Sequence, residues 1–226
     1  MTTRTVANTI AEARYDLRDQ GKQKWDDTYL LLMHNRGLRI LDRELINIGS
    51  DLVVRSDSVT TGTSVNFAEV DDTVDSIHRA YIDQQELEKI PLRILYRYRQ
   101  EVIGSDDGQP QIFGTFGRLV AFGTSKRTIE FDYLTNEAYT IDFIYNHRHE
   151  DLALTDNTPY SGVFDDYLRE GIISLAQKAK DDKVVQVDNF WRLQFREILL
   201  QHSTAVNLMP RYAIDPYHGA NYYKRR

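Results

Sequence analysis

The spacing of apolar residues changes period twice along this chain. Val6, Ile10, Ala13 and Leu17 recur at intervals of three and four, the stripe of a short amphipathic helix, with Gly21 as its stop. A longer stripe follows, with Leu31, His34, Leu38, Leu41, Leu45 and Ile48 in register before Gly49 ends the run. Asp26 caps this second helix, and Trp25 just before the cap packs on Leu30 as a hydrophobic staple.

From Ser50 to about Glu150 the period drops towards two. Leu52–Arg55 begins a strand, and the polar, threonine-rich run 57–72 reads as a loop or an edge hairpin. Residues 72–83, with Val74, Ile77 and Tyr81, read as a helical turn entering a short strand. In 91–99, Leu92, Ile94, Tyr96 and Tyr98 alternate with Arg93, Leu95, Arg97 and Arg99, which favours a strand over a helical turn. Arg118–Phe122, Thr128–Tyr133 and Ala138–Asn146 read as three antiparallel strands joined by turns. Short strands without intervening helices predict a small antiparallel sandwich or barrel.

Helical spacing then returns. Phe164, Tyr167, Leu168, Ile172, Leu175, Ala176 and Ala179 form one stripe. Thr158 or Ser161 supplies a cap, Pro159 suits a first turn, and Asp165 and Asp166 lie near the positive end of the dipole. A last helix carries Val184, Val187, Trp191, Phe195, Ile198 and Leu199, with Phe190, Leu193 and Leu200 beside them. A stripe that broad contacts more than one neighbour, and these last three residues are the expected subunit contact. The order helices, strands, helices predicts an α+β fold. Residues 1–49 and 158–205 make a discontinuous helical bundle, 50–157 an inserted antiparallel β sandwich or barrel, and 206–226 an extended arm. Pro210, Pro216 and Gly219 break any helix in that arm, yet it holds Tyr212, Tyr217, Tyr222 and Tyr223 and ends Lys224-Arg225-Arg226. Tyrosine joins apolar area to a hydroxyl, and with a basic tip it suits docking onto another protein, the alternative being a tail folded back on its own subunit or a frayed solubilising end.

The strand-to-helix stretch 138–180, with its LTDNTP turn and following FDDYL, resembles the head-to-tail adaptor proteins of tailed bacteriophages. So do Leu17-Arg18-Asp19 closing the first helix, Trp25-Asp26-Asp27 opening the second, the strand 117–122, and the C-terminal helix with its tail. Most of 5–205 takes part, as a pattern of residue types. The resemblance implies a ring of twelve copies matching a portal, with C-terminal segments threaded into the portal ring. The polar segment 56–83 is longer than the smallest adaptors carry, which leaves open which loops meet the tail.

Composition narrows the alternatives. The 226 residues are 41% hydrophobic, enough for a core, and contain no cysteine, which removes disulfides, thiolate metal sites and cysteine catalysis. No apolar run approaches a membrane span and no export leader is evident, so a cytosolic product is expected; the resemblance implies assembly in the host cytoplasm and a place in the virion neck. A net charge of −6 argues against a protein that grips DNA through phosphates and suits a conduit through which DNA passes without specific binding.

Candidate chemistry is sparse. His147 and His149 share a face at a strand end and could hold zinc or copper, but no third ligand is evident. His34 lies on an apolar stripe, where a hydrogen-bonded structural histidine is expected. Asp71, Asp72 and Asp75 lack calcium-loop spacing. Gly114, Gly117 and Gly123 match no nucleotide-binding loop. Arg93, Arg97 and Arg99 could meet phosphates but read more simply as a solvated or subunit-facing row. The sequence is therefore read as a non-enzymatic structural protein with no cofactor or metal. The resemblance implies as partners a portal protein, tail proteins (nozzle, tube or fibre-bearing) and further copies of itself. Portal docking is assigned to Tyr212, Tyr217, Tyr222, Tyr223, Arg225 and Arg226. The alternatives are a small metal-dependent hydrolase using His147 and His149, and a nucleic-acid-binding module, which the charge disfavours.

Overall fold

Helix α1 (Val6–Asp16) and helix α2 (Asp27–Asn47) form where the spacing of three and four places them. The computed structural model describes residues 4–100, 107–121 and 124–179. It is α+β, and the chain divides into two compact units, one up to Ser50 and from Leu152 onward, the other Asp51–Asp151.

In the first unit α1 and α2 both pack on α4 (Asp165–Ala179). Val6, Ile10 and Ala13 of α1, Leu17 just after it, Leu30 and Met33 of α2, and Ile172, Leu175 and Ala176 of α4 make one core. Burial of each larger side chain is worth about 1.5–3 kcal/mol. Asp26 caps α2 as expected, its carboxylate accepting from the Tyr29 amide at 2.6 Å. Gly49 (φ 67°) ends α2, with Ser50 N–H donating to Leu45 O. α1 stops earlier than Gly21. Arg18, not a glycine, takes the left-handed position (φ 54°), while Arg18 and Asp19 N–H donate back to Tyr15 and Arg14 carbonyls.

The start of α4 also differs from expectation. Pro159–Gly162 is a separate 3₁₀ turn, with Tyr160 and Ser161 both at φ 54°, so neither Thr158 nor Ser161 caps α4. Left-handed geometry in successive non-glycine residues cannot continue into a right-handed helix.

The second unit opens with a 3₁₀ turn, Asp51–Val53, and contains two four-stranded sheets. Its strands are β1 (Val54–Thr60), β2 (Phe67–Val70), β3 (Val74–Ile82), β4 (Gln85–Glu86), β5 (Glu88–Lys89), β6 (Ile112–Ala121), β7 (Thr124–Phe131) and β8 (Thr140–His147). One sheet runs β1-β8-β3-β4 and the other β2-β7-β6-β5. Both contribute to one core, including Ala68, Ile77, Phe113, Ile129, Phe131, Ile141 and Phe143, so the unit is a sandwich.

Four expectations need correction here. Residues 74–82 are strand throughout. Register shifts between Val74 and Ser76 and between Ile77 and Arg79 space the buried Val74, Ile77 and Ala80 by three, which imitates a helix. β8 does not pair with β7 but lies between β1 and β3 in the opposite sheet. The polar run 57–72 holds most of β1 and all of β2, the edge strands of different sheets and not one hairpin. The sheets are antiparallel except that β5 pairs with β6 in parallel.

Residues 92–98 are helix α3 (Leu92–Tyr98), not strand. Pro91 precedes it, Ile94 and Leu95 N–H donate to the Pro91 carbonyl, and Leu95 is fully buried. A Cβ added to Gly114 of β6 would meet Leu92 Cδ2 at 2.7 Å, so a bare backbone lets α3 sit close to the sheet.

Candidate interaction surfaces

The residues that mark the junction between the first two helices form a buried ionic knot. Asp19 sits in the loop with 4% exposure and accepts from the backbone N–H groups of Gln23, Lys24 and Trp25. Arg14 projects from α1 into the same loop. Its Nη1 donates to Trp25 O at 2.7 Å and lies 3.4 Å from Asp19 Oδ2, and its Nη2 donates to Asp27 Oδ1 at 2.7 Å. Lys22 closes on the other oxygen of Asp27. Burial pushes the Asp19 carboxyl up, but the three N–H donors and Arg14 outweigh it and hold the group below its ordinary value. Donation from Lys22 and Arg14 does the same for Asp27. Arg14 carries none of the roles expected from sequence. Its signal was an arginine on the buried stripe, four residues after Ile10 and three before Leu17.

The LTDNTP turn is tied to the other end of α1. Val6 N–H donates to Asp156 O at 2.9 Å and Ala7 N–H to Leu154 O at 3.0 Å, so this turn satisfies amides that α1 cannot bond internally. Thr158 N–H donates to Arg4 O at 3.0 Å. The Tyr160 hydroxyl bonds Oδ1 of the fully buried Asp42 at 2.5 Å, and its ring meets Phe164 edge-on at 5.5 Å. These contacts hold Tyr160 in its left-handed conformation, a form that costs about 1–3 kcal/mol for such a residue. Asn35 of α2 clasps Leu152, its side-chain N–H donating to Leu152 O at 3.0 Å and its oxygen accepting from Leu152 N–H at 3.1 Å.

His34 is fully buried beside Asn35, and its Nε2 has no hydrogen-bond partner. Burial pushes its pKa below the ordinary imidazole value, opposed by the Asn35 contact. The folded chain therefore takes up a proton less readily than the unfolded one, whose histidine titrates near about 6.5. Stability from this site is complete above that pH and declines as pH falls below it. Urea unfolding midpoints are expected to drop between pH 7.5 and 5.5, and His34→Gln is expected to flatten that dependence.

In the second unit α3 exposes Arg93, Ile94, Tyr96 and Arg97 together, with Ile94 54% and Tyr96 42% accessible. Arg99 anchors the helix end. It donates to Phe131 O at 2.6 Å, to Asn66 O at 3.0 Å and to Glu130 at 2.9 Å, while the Tyr96 hydroxyl donates to Glu130 at 2.6 Å. Arg99 therefore braces the sheet, whereas Arg93 lies on the exposed side with Ile94 and Tyr96.

The His147 and His149 rings do come together, edge-to-face at 4.9 Å, and His147 helps hold the Asp71 carboxyl below its ordinary value, after the bonds from Thr73. Among the described residues no group of three or more His, Asp or Glu side chains is arranged to hold a metal ion. No described helix is long and apolar enough to cross a membrane. The docking residues Tyr212, Tyr217, Tyr222, Tyr223, Arg225 and Arg226, and the subunit-contact residues Phe190, Leu193 and Leu200, lie outside the described residues. No protein-family model matches the chain, and no curated protein matches it.

Proposed function

We propose that this chain is a structural virion protein, a head-to-tail adaptor that forms a ring beneath the portal of a tailed bacteriophage and lets DNA pass. The supporting observation is what the residues behind the resemblance do. Leu154–Thr158 and Arg14–Asp27 bind the two ends of α1, so the motif ties the segment before the inserted sandwich to the segment that follows it. In this reading α1, α2 and α4 belong to the bundle of the ring wall. The sandwich faces the tail, the C-terminal arm reaches into the portal, and the portal templates the ring from largely monomeric chains.

Co-sedimentation with the portal protein of the same virus tests this. The full chain is expected to bind, and a chain cut after Asn207 is expected to lose binding. Binding by both would keep the adaptor role and move docking onto the folded body. Binding by neither would overturn the reading. The rival hydrolase at His147 and His149 has the ring pair in its favour, and a stoichiometric bound metal in the purified chain would revive it.

A further inference from the structure

Two faces of the helical unit carry opposite charge. On α2, Leu32, Arg36, Arg39 and Arg43 fall within about 60° of one another around the axis and extend over about 16 Å. Leu32 is 52% exposed, Arg39 and Arg43 are exposed, and Arg36 is half-buried. Arg36 and Arg39 also interact within the chain, and with Arg43 they set three guanidiniums beside an exposed leucine.

Across the α1–α4 seam the balance reverses. Arg169 stands among four carboxylates, Glu12 at 3.8 Å, Asp16 at 3.4 Å, Asp166 at 3.6 Å and Glu170 at 3.9 Å. Distances that long leave oxygens of Asp16, Asp166 and Glu170 open to a second guanidinium, whereas Glu12 is already met by Arg4. Arg4 links Glu12 to Asp165, whose Oδ1 is buried without a hydrogen-bond donor. Tyr15, 71% exposed, projects beside Glu12 and Asp16 on the outer side of α1.

Because α1, α2 and α4 pack pairwise, the outer side of α2 and the outer side of the α1–α4 seam point in opposite directions. We infer that the Leu32–Arg43 stripe of one copy docks on the Glu12/Asp16/Asp166/Glu170 face of the next. Leu32 meets an apolar neighbour in Tyr15, and the arginines meet a face on which Glu12, Asp16, Asp165, Asp166 and Glu170 outnumber Arg4 and Arg169. Contact between opposed faces is head-to-tail, so repetition closes a ring or extends a filament. The inference rests on the proposal that the chain assembles with copies of itself, and it names the surfaces.

The chain has no cysteine, which makes disulfide trapping clean. Full-length chains carrying Arg39→Cys or Arg43→Cys together with Asp166→Cys or Glu170→Cys are oxidised at high concentration and low salt, with and without portal. A ladder extending beyond dimers in at least one of these pairs is expected, with no species above dimer in the single-cysteine chains. Reversing Arg43→Glu in a trapping chain should cut the ladder's yield about tenfold, and adding Glu12→Arg should restore part of it. In parallel, wild-type chain is treated with a lysine-reactive cross-linker. If that yields higher multimers while no cysteine pair gives a ladder, these faces are not the contact, although self-assembly stands. If neither treatment yields multimers, with or without portal present, self-assembly fails and this inference with it.

Discussion

Replacing Arg14 by alanine is expected to lower the stability of the helical unit by about 3 kcal/mol, measured by urea unfolding at pH 7. Three acceptors converge on this side chain, which is 6% exposed: the Trp25 carbonyl, Asp19 and Asp27. Truncation would leave Asp19 buried with its backbone donors but no counter-ion, and a buried charge without its partner costs more than the pair ever gained. Arg14→Lys should recover only part of the loss, since one ammonium cannot reproduce the fork that reaches Trp25 O and Asp27 together. Acid gives an independent check. Asp19 and Asp27 are held below their ordinary value in the folded chain, so their contribution is complete above about pH 4 and is lost as pH falls through the lower folded values. Removing Arg14 should weaken that acid dependence. A loss under about 1 kcal/mol would mean that solvent already screens the knot.

The elements that could be read from the chain are those fixed by near neighbours. The α2 stripe and its Asp26 cap depend on residues three and four apart, and the structure places both as expected. β3 misled because two bulges turn a period of two into spacings of three. β8 misled because strand pairing is decided by the partner sheet. Its core residues Ile141 and Phe143 are buried between β1 and β3, many residues distant, and no local signal distinguishes that from a hairpin with β7. The left-handed Tyr160 was invisible for the same reason, since what holds it is Asp42, on another helix. Arg14 was legible in principle. An arginine at a stripe position facing a loop with Asp19, Asp26 and Asp27 is either an error in the stripe or a buried ion pair.

α3 shows how a helix can alternate like a strand. Leu92 and Leu95, three apart, face Gly114 of β6, while the flanking apolar residues Ile94 and Tyr96 are exposed. The residue that Leu92 and Leu95 meet on β6 is Gly114, whose part in the contact no local pattern marks.

Leu95→Ala is expected to cost about 3 kcal/mol and to release α3 from the sandwich, because a fully buried leucine leaves a cavity that the sheet beneath cannot close. Gly114→Val attacks the same contact from the other side. Its Cβ would lie 2.7 Å from Leu92 Cδ2 and 3.1 Å from Leu95 Cδ2, an overpacking worth about 1–3 kcal/mol. The two changes should not add. With Leu95 shortened, the valine has room to move into the vacated space, so the double variant should be less destabilised than the sum of the single ones. Guanidinium unfolding measures the energies, and hydrogen exchange at the α3 amides reports whether the helix stays docked. Strict additivity with unchanged α3 exchange would mean that α3 is held mainly by Arg99 and its bonds to Asn66, Glu130 and Phe131. The expected coupling would instead make the Leu95–Gly114 contact the hinge on which the exposed Arg93, Ile94 and Tyr96 surface is presented.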